Sequence, residues 1–177
     1  MPTIIVGDYE LEIISNPGEP PFDRFYGEED VYLYSSILLQ TYSANDLLQT
    51  VLISSVGGGT TVHETSFIVK KDRVTICCSD SVFCLSIPNL ELLWRTKADS
   101  ATCFEIFSHQ EDYIVHGELE ISRLDLNGKI LWQRSGADIF ITIHASPDDF
   151  IVADGLILAT DWDGRKYQWD LDGNPVS

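Results

Sequence analysis

Short runs of β-branched and aromatic residues recur along the chain and are separated by glycine, proline, asparagine and aspartate. This pattern is typical of strands and turns rather than helices. In the first third of the sequence it predicts strands at residues 3–6, 9–14, 31–42 and 47–56. The last two are joined by residues 43–46, where Ser43 could instead cap a short helix ending at Leu52. The glycines Gly57 to Gly59 then form a break. The pattern predicts an all-β fold.

Beyond residue 60 the sequence repeats a unit of about 40 residues. Residues 71–76, 111–116 and 148–153 align as equivalent strands, and further strands and turns follow at residues 82–94, 121–132 and 167–173. Asn127-Gly128 and Asp172-Gly173 favour positive φ at both central turn residues, so two-residue hairpins are expected there. Each unit is therefore predicted to be an antiparallel β-meander.

One repeat carries a recognisable motif, the run Leu124-Asp125-Leu126-Asn127-Gly128-Lys129-Ile130-Leu131-Trp132. It resembles the repeat of quinoprotein-like (PQQ-type) β-propeller blades, and the resemblance implies that the tryptophan docks on the neighbouring blade. Residues 85–94 are similar to a degenerate copy with Pro88-Asn89 at the turn, and residues 168–173 to a truncated one. The resemblance covers residues 60–177. The stretch also looks like a set of small bacterial proteins, a likeness that implies no particular activity.

The length of 177 residues accommodates about four such units and excludes a ring of about eight. We expect a single all-β domain of repeated antiparallel β-meanders, either propeller-like with about four units or sandwich-like. Residues 1–59 would form an irregular β unit with a long acidic loop at 16–30, and residues 60–177 three propeller-like units. A four-unit ring, an open array and two sheets packed face to face all fit this length.

The acidic composition narrows the choice of partner. Aspartate and glutamate number 28 against 11 lysines and arginines, which gives a net charge of -17 and a pI of about 4.3. Such a surface repels phosphate backbones and anionic lipid, so neither nucleic acid nor a membrane is expected as partner. A basic protein or a cation fits better. The N-terminus shows no secretory leader, and a cytoplasmic location is expected.

The cysteines and the histidines are candidates for a chemical role, but structural roles account for them better. Adjacent cysteines such as Cys77-Cys78 form a disulfide beside the cofactor in some quinoprotein dehydrogenases, but strand alternation places Cys78 in the core and Cys77 on the opposite face. Free buried thiols are expected for both, and for Cys84 and Cys103. The histidines lack paired metal spacing, and only His63 is marked for attention; the other three are His109, His116 and His144.

Two acidic segments, residues 161–164 and 170–174, look like calcium loops but lack the distal glutamate that such loops require. Hairpin turns explain them better. The glycines at 57–59 precede no Gly-Lys-Ser/Thr sequence, so a phosphate cradle is not expected. We therefore assign no catalytic, cofactor-binding or metal-binding residues.

The acidic loop at residues 16–30 is the best candidate for a binding surface. Aromatic anchors rimmed by charge are how many proteins hold a partner, and the predicted partner-binding residues are Phe22, Asp23, Phe25, Tyr26, Glu28 and Glu29. The alternative is that these aromatic side chains fold back on their own sheet.

These observations predict a non-enzymatic, acidic protein-interaction module. One version is an immunity-type antagonist of a basic partner, such as a toxin nuclease. The alternatives are a β-propeller-like sensor that binds a small ligand or a cation, and a structural homodimer that pairs its sheet edges.

Overall fold

The computed structural model describes residues 2–28, 35–142 and 146–176. These residues form sixteen β-strands and one short 3-10 helix, Pro147–Asp149. The strands are β1 Thr3–Val6, β2 Tyr9–Ser15, β3 Arg24–Tyr26, β4 Ser36–Ser43, β5 Asp46–Ser54, β6 Phe67–Lys70, β7 Arg73–Cys78, β8 Ser81–Ser86, β9 Leu92–Lys97, β10 Cys103–His109, β11 Asp112–Gly117, β12 Glu120–Leu124, β13 Ile130–Ser135, β14 Phe150–Ala153, β15 Leu156–Thr160 and β16 Lys166–Asp170. In the described part of the chain, no helix has the length and apolar character needed to span a membrane.

The strands form four sheets that follow one another along the chain. The first has the order β1-β2-β4-β5-β3, the second β6-β7-β8-β9, the third β10-β11-β12-β13 and the fourth β14-β15-β16. All neighbouring strands are antiparallel except β3 and β5, which are parallel. The last three sheets are simple meanders, so the prediction of an all-β fold of about four β-meander units, propeller-like or sandwich-like, is confirmed.

Tight turns explain why the chain doubles back where it does. Ala44 and Asn45 have φ of 50° and 72°, and the flanking Ser43 and Asp46 pair across the hairpin. Positive φ at both positions is the geometry of a type I′ turn, whose twist matches the strands on either side. The alternative of a helix beginning at Ser43 is therefore wrong, because β5 starts immediately after this turn.

The turns predicted at Asn127-Gly128 and Asp172-Gly173 are one residue longer than expected. In the turn at Asp125, the Gly128 amide donates to the Asp125 carbonyl and the Asp125 amide donates to the Lys129 carbonyl. Gly128 has a φ of 79°, so the turn is type I followed by a glycine in the left-handed region. The same backbone bonds recur at Asp161 and Asp170. The prediction of two-residue hairpins is thus wrong, because only the glycine needs positive φ.

Three hydrophobic clusters hold consecutive sheets together. Successive residues of one strand supply different clusters, because side chains alternate between the faces of a sheet. Cys78 lies in the cluster between the first and second sheets, and Cys77 in the cluster between the second and third. A third cluster, which includes Phe140 and Trp169, joins the third and fourth sheets. The predicted opposite orientation of the two cysteines is confirmed, and both are fully enclosed.

Each of the two middle sheets is joined to the following sheet by one tryptophan. Trp94 on β9 donates from Nε1 to the Leu126 carbonyl at 3.0 Å, and Trp132 on β13 donates to the Leu171 carbonyl at 2.9 Å. Both acceptors lie in the glycine-containing turns of the following sheet. The docking that the repeat resemblance implied is therefore present in the structure. The docking requires a glycine in the turn, because a Cβ added to Gly128 would lie only 2.6 Å from Cδ2 of Trp94.

Two glycines allow the docking to be tested against a matched control. Gly128 and Gly164 occupy the same place in the same kind of turn, with φ of 79° and 80°, but nothing lies within 4 Å of a Cβ added to Gly164. We expect Gly164→Ala to lower the free energy of unfolding by about 1 kcal/mol through left-handed backbone strain. Gly128→Ala should lose a further ~1–3 kcal/mol because the Trp94 ring must move. Urea unfolding followed by circular dichroism measures both; equal losses would contradict the docking role.

Candidate functional site

A pocket of about 370 Å³ lies between the first strands of the third and fourth sheets. The side chains around it come from β10, from β11, from the connection that precedes β14 and from the 3-10 helix. We call it the inner pocket, and it is lined by His63, Phe104, Glu105, His116, Phe140, Ile141, Thr142, Ser146, Asp149 and Phe150. Its volume lies within the usual range for sites that bind small ligands or single side chains.

A β-bulge in β10 shapes one wall of the inner pocket. Cys103 pairs with Gly117 and Glu105 pairs with His116, so Phe104 is the extra residue of the bulge. A bulge bends its strand and redirects a side chain, and bulges are frequent next to binding and active sites. Here it allows two consecutive residues, Phe104 and Glu105, to line the same pocket. Regular alternation would have placed them on opposite faces.

His116 is held on both sides of its ring. Nδ1 lies 2.8 Å from Glu105 Oε2, and Nε2 lies 3.0 Å from the Phe140 carbonyl oxygen. A carboxylate and a carbonyl can only accept, so each ring nitrogen of His116 faces an acceptor. The ring also stacks on Phe150, with centroids 4.2 Å apart and planes 7° from parallel. The side chain therefore connects β10, β11 and the loop before β14.

Glu105 is the other charged end of this network. Thr65 donates from its hydroxyl to Glu105 Oε1 at 2.6 Å, and Thr65 Oγ1 lies 3.1 Å from His63 Nδ1. Burial acts to raise the pKa of Glu105, but the hydrogen bonds from His116 and Thr65 outweigh it and lower that pKa below the usual range. Glu105 is therefore ionised at neutral pH. Both of its oxygens already accept a hydrogen bond from the protein.

Asp149 places a second carboxylate at the inner pocket. It closes a capping box at the 3-10 helix, where the Ser146 amide donates to Asp149 Oδ2 at 2.7 Å. The Thr142 hydroxyl donates to the same oxygen. These two hydrogen bonds lower the pKa of Asp149, so this carboxylate is ionised as well. Among the described residues that line the pocket, none is lysine or arginine.

A second polar cluster links the first and second sheets. Asp80 is almost fully buried and accepts hydrogen bonds from the hydroxyls of Ser55 and Ser81. Lys97 Nζ lies 2.9 Å from its other oxygen. Burial acts to raise the pKa of Asp80, but the bonds from Ser55 and Lys97 outweigh it and lower the pKa. Arg95 extends the cluster to Glu28 at 2.7 Å. Because these groups satisfy one another, the cluster fastens two sheets together.

The predicted partner-binding residues lie beside the first sheet and make contacts within the chain. The loop contains β3, which was not predicted and which adds to the edge of β5. Asp23 and Thr50 exchange two hydrogen bonds, of 2.8 and 2.7 Å.

The aromatic side chains of the loop also make contacts within the chain. Tyr26 packs against the first hydrophobic cluster, and Phe22 and Phe25 have ring centroids 6.1 Å apart. Phe22 remains 43% exposed. Glu28 pairs with Arg95, and Glu29 lies outside the described residues. The binding role of this loop stays a prediction.

The structure does not gather the other sequence candidates into one site. The four cysteines are free and buried, and burial raises the pKa of each thiol, that of Cys78 to about 12. His63 and His116 both line the inner pocket, whereas His109 lies at the far end of β10 and His144 is outside the described residues. Thr60, after the glycine run, donates to the Cys103 carbonyl at 2.9 Å.

The apparent calcium loops are turns. The carboxylates of Asp161 and Asp170 accept backbone amide bonds from Arg165 and Asn174 within their own hairpins. Within residues 2–28, 35–142 and 146–176, no three His, Cys, Asp or Glu side chains are grouped closely enough to hold a metal ion.

The inner pocket itself was not predicted, although one signal pointed to it. In the aligned repeats, His116 stands where the others have Ile76 and Ala153. A polar residue in an otherwise apolar position requires a polar partner, but no pattern in the sequence singles out Glu105 among the 28 acidic residues. The bulge at Phe104 determines that choice, and bulges leave no distinct sequence signature when no glycine is involved.

Comparison with known proteins concerns the fold alone. No protein-family model matches the sequence, and no curated protein matches it. Among solved structures, the chain is similar to the computationally designed Ika4 protein, with a TM-score of 0.51 and 11% identity over 67% of this chain and 75% of that one. The designed Ika8 protein gives a TM-score of 0.50 and 12% identity, over 66% of this chain and 37% of that one.

A further structural similarity extends over nearly the whole chain. BamB from Moraxella catarrhalis aligns with 99% of this chain at a TM-score of 0.49 and 15% identity, and the chain spans 62% of its length. The architecture itself defines the class: a propeller-like all-β protein of four antiparallel sheets, with a pocket where the third and fourth sheets meet.

The pairing of Glu105 with His116 can be tested through the pH dependence of stability. At pH 7, Glu105→Gln should lower the free energy of unfolding by about 1–3 kcal/mol, because it breaks a partly buried charged hydrogen bond. Glu105 has a lowered pKa in the folded state, so its contribution is present above the ordinary value of 4.5 and is lost as the pH falls through the folded pKa. The two proteins should therefore converge towards pH 3 in urea titrations.

The control is Glu111→Gln at the other end of the β10–β11 hairpin. Its ion pair with Lys70 is 3.5 Å long, and its side chain is 65% exposed, so a loss below about 0.5 kcal/mol is expected. A Glu105→Gln defect that persists undiminished at pH 3 would show that the carboxylate charge is not what stabilises this region.

Proposed function

We propose that this protein is a non-enzymatic interaction module that binds a basic partner protein through the inner pocket and the acidic surface around it. The observation that carries the proposal is the composition of the pocket wall. Two carboxylates with lowered pKa, Glu105 and Asp149, stand beside the partly exposed ring of Phe104. Charge of one sign attracts and orients a partner, and an aromatic anchor supplies affinity once the two surfaces meet.

The use of positive charge within the chain supports this proposal. Six of the eleven lysines and arginines form ion pairs with aspartate or glutamate of the same chain. The chain has 28 acidic and only 11 basic residues, and more than half of the basic residues are already paired with acidic ones. Few positive charges therefore remain to oppose the acidic surface. An acidic field of this kind accelerates association with a basic protein and weakens as salt is added.

The bonding at the inner pocket favours binding over catalysis. Glu105 uses both oxygens and His116 both nitrogens in hydrogen bonds to the protein. A general base needs a free lone pair directed at its substrate, whereas both His116 nitrogens face acceptors and both Glu105 oxygens already accept a hydrogen bond from the protein. They are suited to hold charge in a fixed position. An immunity-type antagonist of a basic toxin nuclease is the most specific form of this proposal, because such an inhibitor must present fixed negative charge.

Two further assignments belong to the proposal. The repeats are interpreted as divergent copies of the quinoprotein-like repeat, supported by the equivalent docking of Trp94 and Trp132. A cytoplasmic location is proposed as well. Its support is the four free, buried cysteines, which suit a reducing compartment.

The proposal is tested by capture of partners from a lysate of the source cell on the immobilised protein, with elution along a salt gradient. We expect a basic protein to be retained at low salt and released at moderate salt, because screening removes the attraction between exposed charges. Phe104→Ala should reduce the retained amount about tenfold or more, as expected for an aromatic anchor worth ~2 kcal/mol.

Two control variants separate the surfaces. Phe22→Ala alters the acidic loop, and Glu111→Lys reverses an exposed charge at the far end of the β10–β11 hairpin. Both should retain the partner in near wild-type amounts if the inner pocket is the contact. Loss with Phe22→Ala alone would transfer the role to the loop, and capture that ignores salt or shows no basic protein would contradict the proposal.

A further inference from the structure

The two carboxylates of the inner pocket offer negative charge, and about half of their hydrogen-bond acceptor positions are already used by the protein. Glu105 accepts from Thr65 and His116, one oxygen each. The Asp149 oxygen Oδ2 accepts from Thr142 and from the Ser146 amide, and the Phe140 carbonyl accepts from His116. A guanidinium carries five N–H donors and a primary ammonium three, and each donor that is buried needs an acceptor. A cation with few or no N–H donors avoids this cost.

The remaining wall of the pocket is aromatic and apolar. Phe104, Phe140, Phe150 and Ile141 border it, and Phe104 stands edge-on to the His116 ring with centroids 5.7 Å apart. Aromatic rings attract cations through their quadrupole and also accept methyl groups as apolar surface. An alkylated ammonium group combines both properties, since it is a cation whose outer surface is hydrocarbon.

We propose that the inner pocket binds an alkylated ammonium group, carried either by a methylated lysine of the partner protein or by a free quaternary ammonium compound. The first of these sources rests on the proposed function; the second is independent of it. The positive centre lies near Asp149 and Glu105, and its methyl groups contact Phe104. Glu105 is already bonded to His116, whereas Asp149 forms no ion pair with a lysine or arginine among the described residues, so Asp149 supplies much of the negative charge that selects a cation.

Three small probes test the charge and the alkylation separately. Choline is a quaternary cation, 3,3-dimethylbutan-1-ol is its neutral isostere, and ethanolamine is the cation without methyl groups. Binding is measured by calorimetry and by shifts of the Phe104, His116 and Thr142 amide resonances in the full-length protein. We expect choline to bind and both other probes to bind at least about tenfold more weakly. Equal binding of choline and its neutral isostere, or no binding by choline, overturns the proposal.

Matched variants test the residues. Phe104→Leu keeps an apolar side chain but removes the ring, and should weaken choline binding about two- to fivefold, the value of one exposed cation–π contact. Asp149→Asn should also weaken it, whereas Phe22→Leu on the acidic loop should leave it unchanged. A Phe104→Leu protein that binds choline as well as wild type, while its unfolding midpoint is unaltered, counts against the assigned geometry.

Peptides distinguish the two sources and separate this proposal from the proposed function. A peptide with trimethyllysine that binds more tightly than choline, while the unmodified peptide does not, assigns the ligand to a protein. Choline binding without peptide binding assigns it to a free compound. If a basic protein is captured through the pocket but choline fails to displace it, the interaction module stands and the alkylated ammonium ligand is refuted. If choline binds and no basic protein is captured, the reverse holds.

Discussion

The structure depends on the burial of both faces of its middle sheets. Each sheet alone would expose an apolar face, and stacking consecutive meanders removes that face from water. Neighbouring residues such as Cys77 and Cys78 enter clusters on opposite sides of the same strand. Burial of area is not directional, so it cannot by itself fix how the sheets are aligned. The tryptophan bonds to turn carbonyls provide that alignment, because Nε1 of Trp94 and of Trp132 each reaches one specific atom of the next sheet.

The inner pocket is a consequence of the same arrangement. Where the third and fourth sheets meet, the bulge at Phe104 and the 3-10 helix both border the pocket that lies between them. The ring of His116 bridges the gap, since it bonds to Glu105 on one side and to the Phe140 carbonyl on the other. A purely apolar residue there, as in the other repeats, would leave that carbonyl without a donor. The site is thus a position where one repeat departs from the others.

The sequence predicted the architecture well because that architecture is local. Alternating apolar residues, glycine-containing turns and the repeat of about 40 residues each specify a meander from within one unit. Errors arose where a distant segment decided the outcome. Strand β3 forms because it can pair with the edge of β5. The sequence of residues 24–26 does not by itself indicate a strand. The contact between Glu105 and His116 likewise depends on a bulge, and the pocket also needs Asp149 from the 3-10 helix before the fourth sheet. Neither the contact nor the pocket could be deduced from the spacing of these residues in the sequence.

The carboxylates of the chain fall into two groups: those that hold loops and turns in place, and those available for the proposed recognition of a partner. Asp99 is buried and accepts four backbone amides, those of Ala101, Thr102, Leu119 and Glu120. Asp161 and Asp170 hold their turns in the same way. These carboxylates organise loops, and neutralising them would destabilise the fold rather than test recognition. The net charge of -17 therefore overstates the charge available to a ligand. The recognition that we propose depends instead on fixed carboxylates that line a cavity, and at the inner pocket these are Asp149 and Glu105.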